Sequence, residues 1–111
     1  MTRHSDEARL RHMLEAAEKA VKIVRNKRRV DLEKNEILVL ALTRLLEILG
    51  EAANQVSAAR KEGLSQLPWR EMIGVRNHLI HGYFDIDKDI IWQILTGDMP
   101  PLIKEIKKLL K

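Results

Sequence analysis

The sequence predicts an all-α protein, an up-and-down bundle of four main helices plus a short helix. Three observations predict it. Apolar residues recur at three- and four-residue intervals along most of the 111 residues, the mark of helices that bury one stripe. No segment sustains the period-two alternation of a half-buried strand. Only three prolines and five glycines occur, and most fall between the periodic segments, where they punctuate rather than interrupt. The length is that of one domain, residues 1–111, and no internal repeat divides it.

The first helix begins after Ser5 or Asp6, either of which can cap free backbone N–H groups. Leu10, Met13, Leu14, Ala17, Val21 and Val24 then form one apolar stripe. The basic cluster Arg25-Asn26-Lys27-Arg28-Arg29 ends it. Asp31 is the expected N-cap of a second helix, with Glu33 favourable in its first turn. This helix is expected to run to about Arg60. At about 1.5 Å per residue it would be on the order of 45 Å long, more than a domain this small needs.

Ile37 to Leu42 is apolar without a break, and Leu45, Leu46, Ile48, Leu49, Ala52, Ala53 and Val56 occupy more than one stripe. A helix apolar over most of its circumference must be covered on two sides. One cover is the domain's own core; the other is a second subunit, unless this is a fully central helix of a monomer. Gly50, with Ala52 and Ala53, permits a neighbouring backbone to come close.

Gly63 opens a loop, and Pro68 suits the first turn of a third helix. Trp69, Met72, Ile73, Arg76 and Ile80 follow at helical spacing, with Gly82 as a left-handed stop. Asp85 or Asp87 caps a short fourth helix holding Ile90, Ile91, Ile94 and Leu95, which Gly97 ends. Asp98-Met99-Pro100-Pro101 restarts a last helix with Leu102, Ile103, Ile106, Leu109 and Leu110, the proline pair marking a break or bend.

The apolar fraction of 45% with 32% charged residues is that of a soluble globular protein. No apolar run approaches the roughly 20 residues that span a bilayer, and the N-terminus has no secretory apolar core, so a cytoplasmic protein without a membrane partner is expected. The absence of cysteine excludes disulfides and thiolate metal sites. The formal charge of +4 permits a polyanionic partner without demanding one. Most of the excess sits in Arg25–Arg29 and in Lys104, Lys107, Lys108 and Lys111, where cations also suit helix ends.

The chemistry concentrates in Leu67–Asp87, which holds Trp69, the only tyrosine and the only phenylalanine. His81 is a candidate general acid or base, because imidazole changes charge near neutral pH. Arg76 offers a permanent cation with a planar fork of donors suited to phosphate, or a salt bridge to Glu51 or Glu47. Five residues apart on an unbroken helix is roughly 140°, so Arg76 and His81 would not share a face. They meet only if the chain leaves helical geometry at Gly82, or if a second copy completes the cleft. Asn77 and His81 are four apart and share a face, so Asn77 is a candidate to hold the imidazole in one tautomer. His78 and His81 are three apart but lack a third ligand, so no metal and no cofactor is expected. Tyr83 reads equally as a packed aromatic or a functional phenol.

The run RNHLIHGY fits the pattern arginine, any four residues, histidine, any residue, tyrosine. Within PWREMIGVRNHLIHGYFDID, preceded by LEILGEAA and followed by WQILTGDMPPLI, it resembles the HepT-like branch of the HEPN superfamily, from about Leu10 to Leu110. The resemblance implies an all-helical, metal-independent endoribonuclease acting as a homodimer in which two copies of the motif line one cleft. It implies a toxin paired with a minimal nucleotidyltransferase antitoxin, which silences it by adenylylating the motif tyrosine, here Tyr83. By position, Arg76 and His81 carry catalysis, Asn77 supports them, and Glu51 orients Arg76. The implied substrate is RNA, cut by attack of its own 2′-hydroxyl. The alternative is a non-enzymatic nucleotide-binding or partner-binding subunit of a minimal nucleotidyltransferase.

Overall fold

In the computed structural model, which describes residues 5–82 and 85–111, Ser5 opens the first helix by accepting the Ala8 amide on its hydroxyl at 3.0 Å. Helix α1 runs Asp6–Val24 and buries Leu10, Met13, Ala16, Ala17, Ala20 and Val24. Its main partner is α3, Glu36–Gln55, which buries Leu38, Val39, Leu42, Leu46, Leu49, Ala52 and Ala53. The alanines on both buried faces let the two helices approach closely. The last helix, α8 (Met99–Leu109), closes the same core with Met99, Leu102 and Ile106. Leu10, Met13, Leu42, Leu46, Leu49, Leu79, Ile91, Leu95 and Ile106 are almost wholly removed from water, each worth about 1.5–3 kcal/mol of burial. The predicted all-α bundle is the observed architecture.

The expected long second helix is three helices. The short α2 (Asp31–Lys34) stops at Asn35, whose backbone is extended at φ −136°, ψ 95°. The Asn35 side chain accepts the Leu38 amide at 3.0 Å and so caps α3. At the other end Val56 is extended, and Ser57 caps α4 (Ala58–Gly63) by accepting the Arg60 amide at 3.2 Å. Short side chains of this kind offer backbone N–H groups an alternative to the helical ladder, and here they win. Asp31 does not cap α2; Val30 holds that position, and the Asp31 carboxylate turns back to the Arg28 amide at 2.6 Å. Asp6 clamps the α3–α4 corner, accepting the Ser57 amide at 2.9 Å and its hydroxyl at 2.7 Å. The Ser57 hydroxyl first, then its amide, hold the Asp6 carboxyl below its ordinary value of 3.8.

The third helix is also divided, into α5 (Trp69–Ile73) and α6 (Val75–Leu79), with Gly74 at the joint. Pro68 is the residue before α5 rather than part of its first turn. No glycine among the described residues has positive φ, so Gly82 is not a left-handed stop. The chain instead turns extended at Ile80, which forms an isolated antiparallel bridge with Ile86. The Asp87 amide donates to the Leu79 carbonyl at 2.7 Å, and the His81 amide to the Asp85 carbonyl at 2.8 Å. β-Branched residues at 80 and 86 favour this extended pairing.

Asp87, one of the two predicted caps, starts α7 (Lys88–Gln93) by accepting the Ile90 amide at 3.1 Å. Gly97 does not end the helix. A π turn, Ile94–Asp98, carries it into α8, with the Met99 amide reaching back to the Ile94 carbonyl. Pro100 and Pro101 have no N–H, and their rings crowd the carbonyls four residues earlier. One widened turn relieves both demands without breaking the rod. Among the described residues, no helix is long and apolar enough to cross a membrane.

Candidate active site

Arg76 reaches its place because Gly50 has no side chain. A Cβ at Gly50 would lie 2.7 Å from the Met72 carbonyl oxygen and 3.4 Å from Val75 Cγ1. The α5–α6 backbone therefore sits directly on α3. One turn before Gly50, Glu47 stands 3.0 Å from Arg76 Nε. The Glu47 side chain is 21% exposed and the Arg76 side chain 70%. Glu47 thus holds the guanidinium at Nε, while most of the Arg76 side chain remains exposed. The pair borders a hollow of about 150 Å³ lined by Glu47, Gly50, Glu51, Asn54, Ile73, Val75 and Arg76.

Glu51, expected to orient Arg76, lines that hollow but pairs with Arg44 at 3.1 Å. The carboxylate on Arg76 is Glu47, the other partner its sequence allowed.

His81 stands past the end of α6, and its side chain is half exposed. Its Nε2 is 3.3 Å from Asp87 Oδ2. The Asp87 carboxyl lies below its ordinary 3.8, held there first by the Ile90 amide and further by His81, with partial burial opposing. Its geometry is fixed from two sides, by the bridge between Ile80 and Ile86 and by its cap on α7. A carboxylate on one ring nitrogen favours the tautomer that carries the proton there, and Nδ1 makes no hydrogen bond among the described residues. The sequence reading missed this role for Asp87 and assigned it to Asn77. Because α6 ends at Leu79, the four-residue helical spacing from Asn77 to His81 is lost. Asn77 is exposed and makes no side-chain hydrogen bond among the described residues.

No hydrogen bond or ion pair joins Arg76 to His81; one is held by α3, the other by the start of α7. Tyr83 lies outside the described residues. His78 is exposed, and among the described residues no three His, Asp or Glu side chains are grouped to hold a metal ion.

The outer face of α3 runs on from Glu51 and Glu47 through Arg44 to Leu40 and Ile37, at three- and four-residue steps. Leu40 is 50% exposed and Ile37 80%. Leu45 and Ile48, from the stripes predicted for this helix, are partly buried against the core, so Ile37 and Leu40 alone are its exposed large apolar residues.

The chain matches the sequence profile of the family described as Ribonuclease HepT-like over residues 13–109. It is similar to a Methanocaldococcus jannaschii protein named "Putative RNase", 34% identical over 107 residues that cover 96% of this chain and 98% of the relative. A Caldanaerobacter subterraneus protein with the same description is 35% identical over 102 residues, 92% of this chain and 91% of its own. A Thermococcus cleftensis protein named "Probable ribonuclease HepT" is 39% identical over 71 residues, 64% of each chain. No solved structure matches the chain.

Proposed function

The chain belongs to the HepT-like ribonuclease family, and from that premise we propose that it is a metal-independent endoribonuclease toxin whose reacting groups are His81 and Arg76. The observation that carries the reading is that both side chains are open to solvent while each is anchored by a carboxylate fixed in the fold, Asp87 for His81 and Glu47 for Arg76. That is the arrangement of a preorganised site rather than of a solvated helix end.

The reaction needs only groups of the chain and of RNA. Neutral His81, its Nε2–H directed at Asp87, accepts the 2′-hydroxyl proton on Nδ1. The 2′-oxygen attacks the adjacent phosphorus, and the bond to the 5′-oxygen breaks. The guanidinium of Arg76 balances charge that builds on the phosphoryl oxygens. The imidazolium, or water, returns a proton to the leaving oxygen. The products are a 2′,3′-cyclic phosphate and a 5′-hydroxyl. Asp87 stabilises the imidazolium that forms on the way.

We place a second copy of the chain on the outer face of α3. The exposed Ile37 and Leu40 supply its apolar anchor, and Arg44, Glu47 and Arg76 lie further along the same side, so the pairing brings two motifs to one cleft. A minimal nucleotidyltransferase as antitoxin, with Tyr83 as the adenylylated residue, completes the proposal; an adenylate there adds bulk and negative charge seven residues from Arg76.

Incubating the protein with total tRNA in excess EDTA tests the activity. Wild type should cleave, and His81→Ala and Arg76→Ala should not. Cleavage that survives His81→Ala, or that appears only with a divalent ion, contradicts the mechanism. Tight binding of a nucleotidyltransferase with no cleavage at any protein concentration favours the partner-binding subunit instead.

A further inference from the structure

We propose that the loop between α1 and α2 is a phosphate-backbone site for RNA, in which Arg25, Lys27 and Arg28 hold nucleotides flanking the one at His81. The inference rests on RNA being the substrate and deepens that reading.

The two basic clusters of the sequence have different fates in the fold. In the C-terminal one, Lys107 pairs with Glu18 at 3.2 Å and Lys108 with Glu105 at 3.5 Å, while the exposed Lys104 and Lys111 have no side-chain partner among the described residues. In the loop, Arg25, Lys27 and Arg28 are all exposed, and none has a side-chain partner among the described residues. The carboxylates nearest in sequence are already engaged. Asp31 accepts the Arg28 amide at 2.6 Å, and Glu33 pairs with Arg29 at 3.1 Å and Lys88 at 3.5 Å. A helix dipole favours Arg25, just past α1, but its influence falls off within the last turn and does not account for cations beyond it.

The loop is also tied to the candidate site. Arg29 binds Asp89 through two nitrogens, Nη2 at 2.6 Å and Nε at 2.7 Å. Lys88 reaches Glu33 from the same turn of α7. Asp87, which holds His81, is the neighbour of Lys88 and two residues from Asp89. The start of α7 therefore carries the imidazole on one residue and the basic loop on the next two. Backbone bonds stiffen the loop, from the Lys27 amide to the Val24 carbonyl at 2.9 Å and from the Asp31 amide to the Arg28 carbonyl at 2.9 Å. Three cations without a side-chain partner, on a loop tied to the start of α7, match a strand whose phosphates repeat on either side of the scissile one.

Fluorescence anisotropy with a single-stranded RNA carrying 2′-O-methyl groups throughout reads binding without cleavage. Three variants decide the matter, each first shown by circular dichroism to keep its helices. The triple variant Arg25→Gln/Lys27→Gln/Arg28→Gln should bind at least tenfold more weakly at low salt. Its plot of log affinity against log salt should flatten by about two, at about 0.7 per lost phosphate contact on a single strand. Lys104→Gln/Lys108→Gln/Lys111→Gln, with the same change in net charge, should bind nearly as wild type. Asp89→Asn, which makes the protein more positive, should nevertheless weaken binding, because it releases the loop from α7. Equal losses from the two triple variants, or tighter binding by Asp89→Asn, would show a diffuse charge effect and overturn the proposal. If wild type binds in the predicted pattern yet cuts no RNA, the nuclease reading fails and this site stands.

Discussion

His81 Nε2 lies 3.3 Å from Asp87 Oδ2, and the other oxygen of that carboxylate accepts the Ile90 amide at 3.1 Å. One side chain thus starts a helix and orients an imidazole. The two duties separate by substitution. Asp87→Asn keeps the cap, since asparagine caps as well as aspartate, but removes the charge. It should fold with unchanged helicity and lose RNA cleavage by at least tenfold. Asp87→Ala should also lower the urea midpoint. An Asp87→Asn enzyme with wild-type rate would reduce Asp87 to a helix cap.

Gly50 sets the spacing between α3 and the motif. Gly50→Ala places a methyl 2.7 Å from the Met72 carbonyl, a backbone atom that cannot rotate away. The gain of about 1 kcal/mol in helix propensity is set against overpacking of about 1–3 kcal/mol, so a small net loss of stability is expected. Activity should fall more than stability, because the shift separates Arg76 from Glu47. Gly63→Ala, at the end of α4 with nothing within 4 Å of the added carbon, is the control and should leave activity unchanged and stability unchanged or slightly raised. Urea unfolding alongside cleavage of one RNA reads the two effects.

The exposed Ile37 and Leu40 on α3 make a prediction about assembly. Ile37→Glu with Leu40→Glu should yield a folded monomer in sedimentation velocity where wild type sediments as a dimer, and cleavage should fall with it. A wild-type monomer that cleaves RNA at the same specific rate at every concentration would remove the second copy from the mechanism.

Asp6 links stability to acid. Its carboxyl lies below the ordinary 3.8 because Ser57 donates two hydrogen bonds to the charged form. A folded pKa below the unfolded one gives stability that is present above the unfolded value and lost as pH falls through the folded one. Asp6→Asn should therefore be less stable than wild type at pH 7, with the difference closing below pH 3.8. Urea midpoints at the two ends of that range check it.

The helical class, the stripe on α1 and the cap at Ser5 were legible because each depends on neighbours three or four residues away. The splits at Asn35 and Ser57 were written in residues that commonly cap, yet nothing local required them to win over the continuing apolar pattern. Arg76 and His81 were legible as candidate reacting groups from residue type and motif. Their anchors were less so. Glu47 was one of two possible partners for Arg76, and only the approach at Gly50 selects it over Glu51. Asp87 reaches His81 through a bridge between two isoleucines, a relationship with no helical spacing to reveal it. The anchoring of the basic loop spans 60 residues from Arg29 to Asp89, beyond any local signal.

The central claim is that His81 draws the proton from a ribose hydroxyl so that RNA cuts itself. An RNA with deoxyribose at one mapped cleavage position measures this directly, compared in EDTA with the all-ribose strand. The account predicts that cutting at that position disappears while neighbouring sites are still cut, and that the all-ribose products end in a 2′,3′-cyclic phosphate. Equal cutting of the two strands, or a 3′-hydroxyl at the new end, would contradict it.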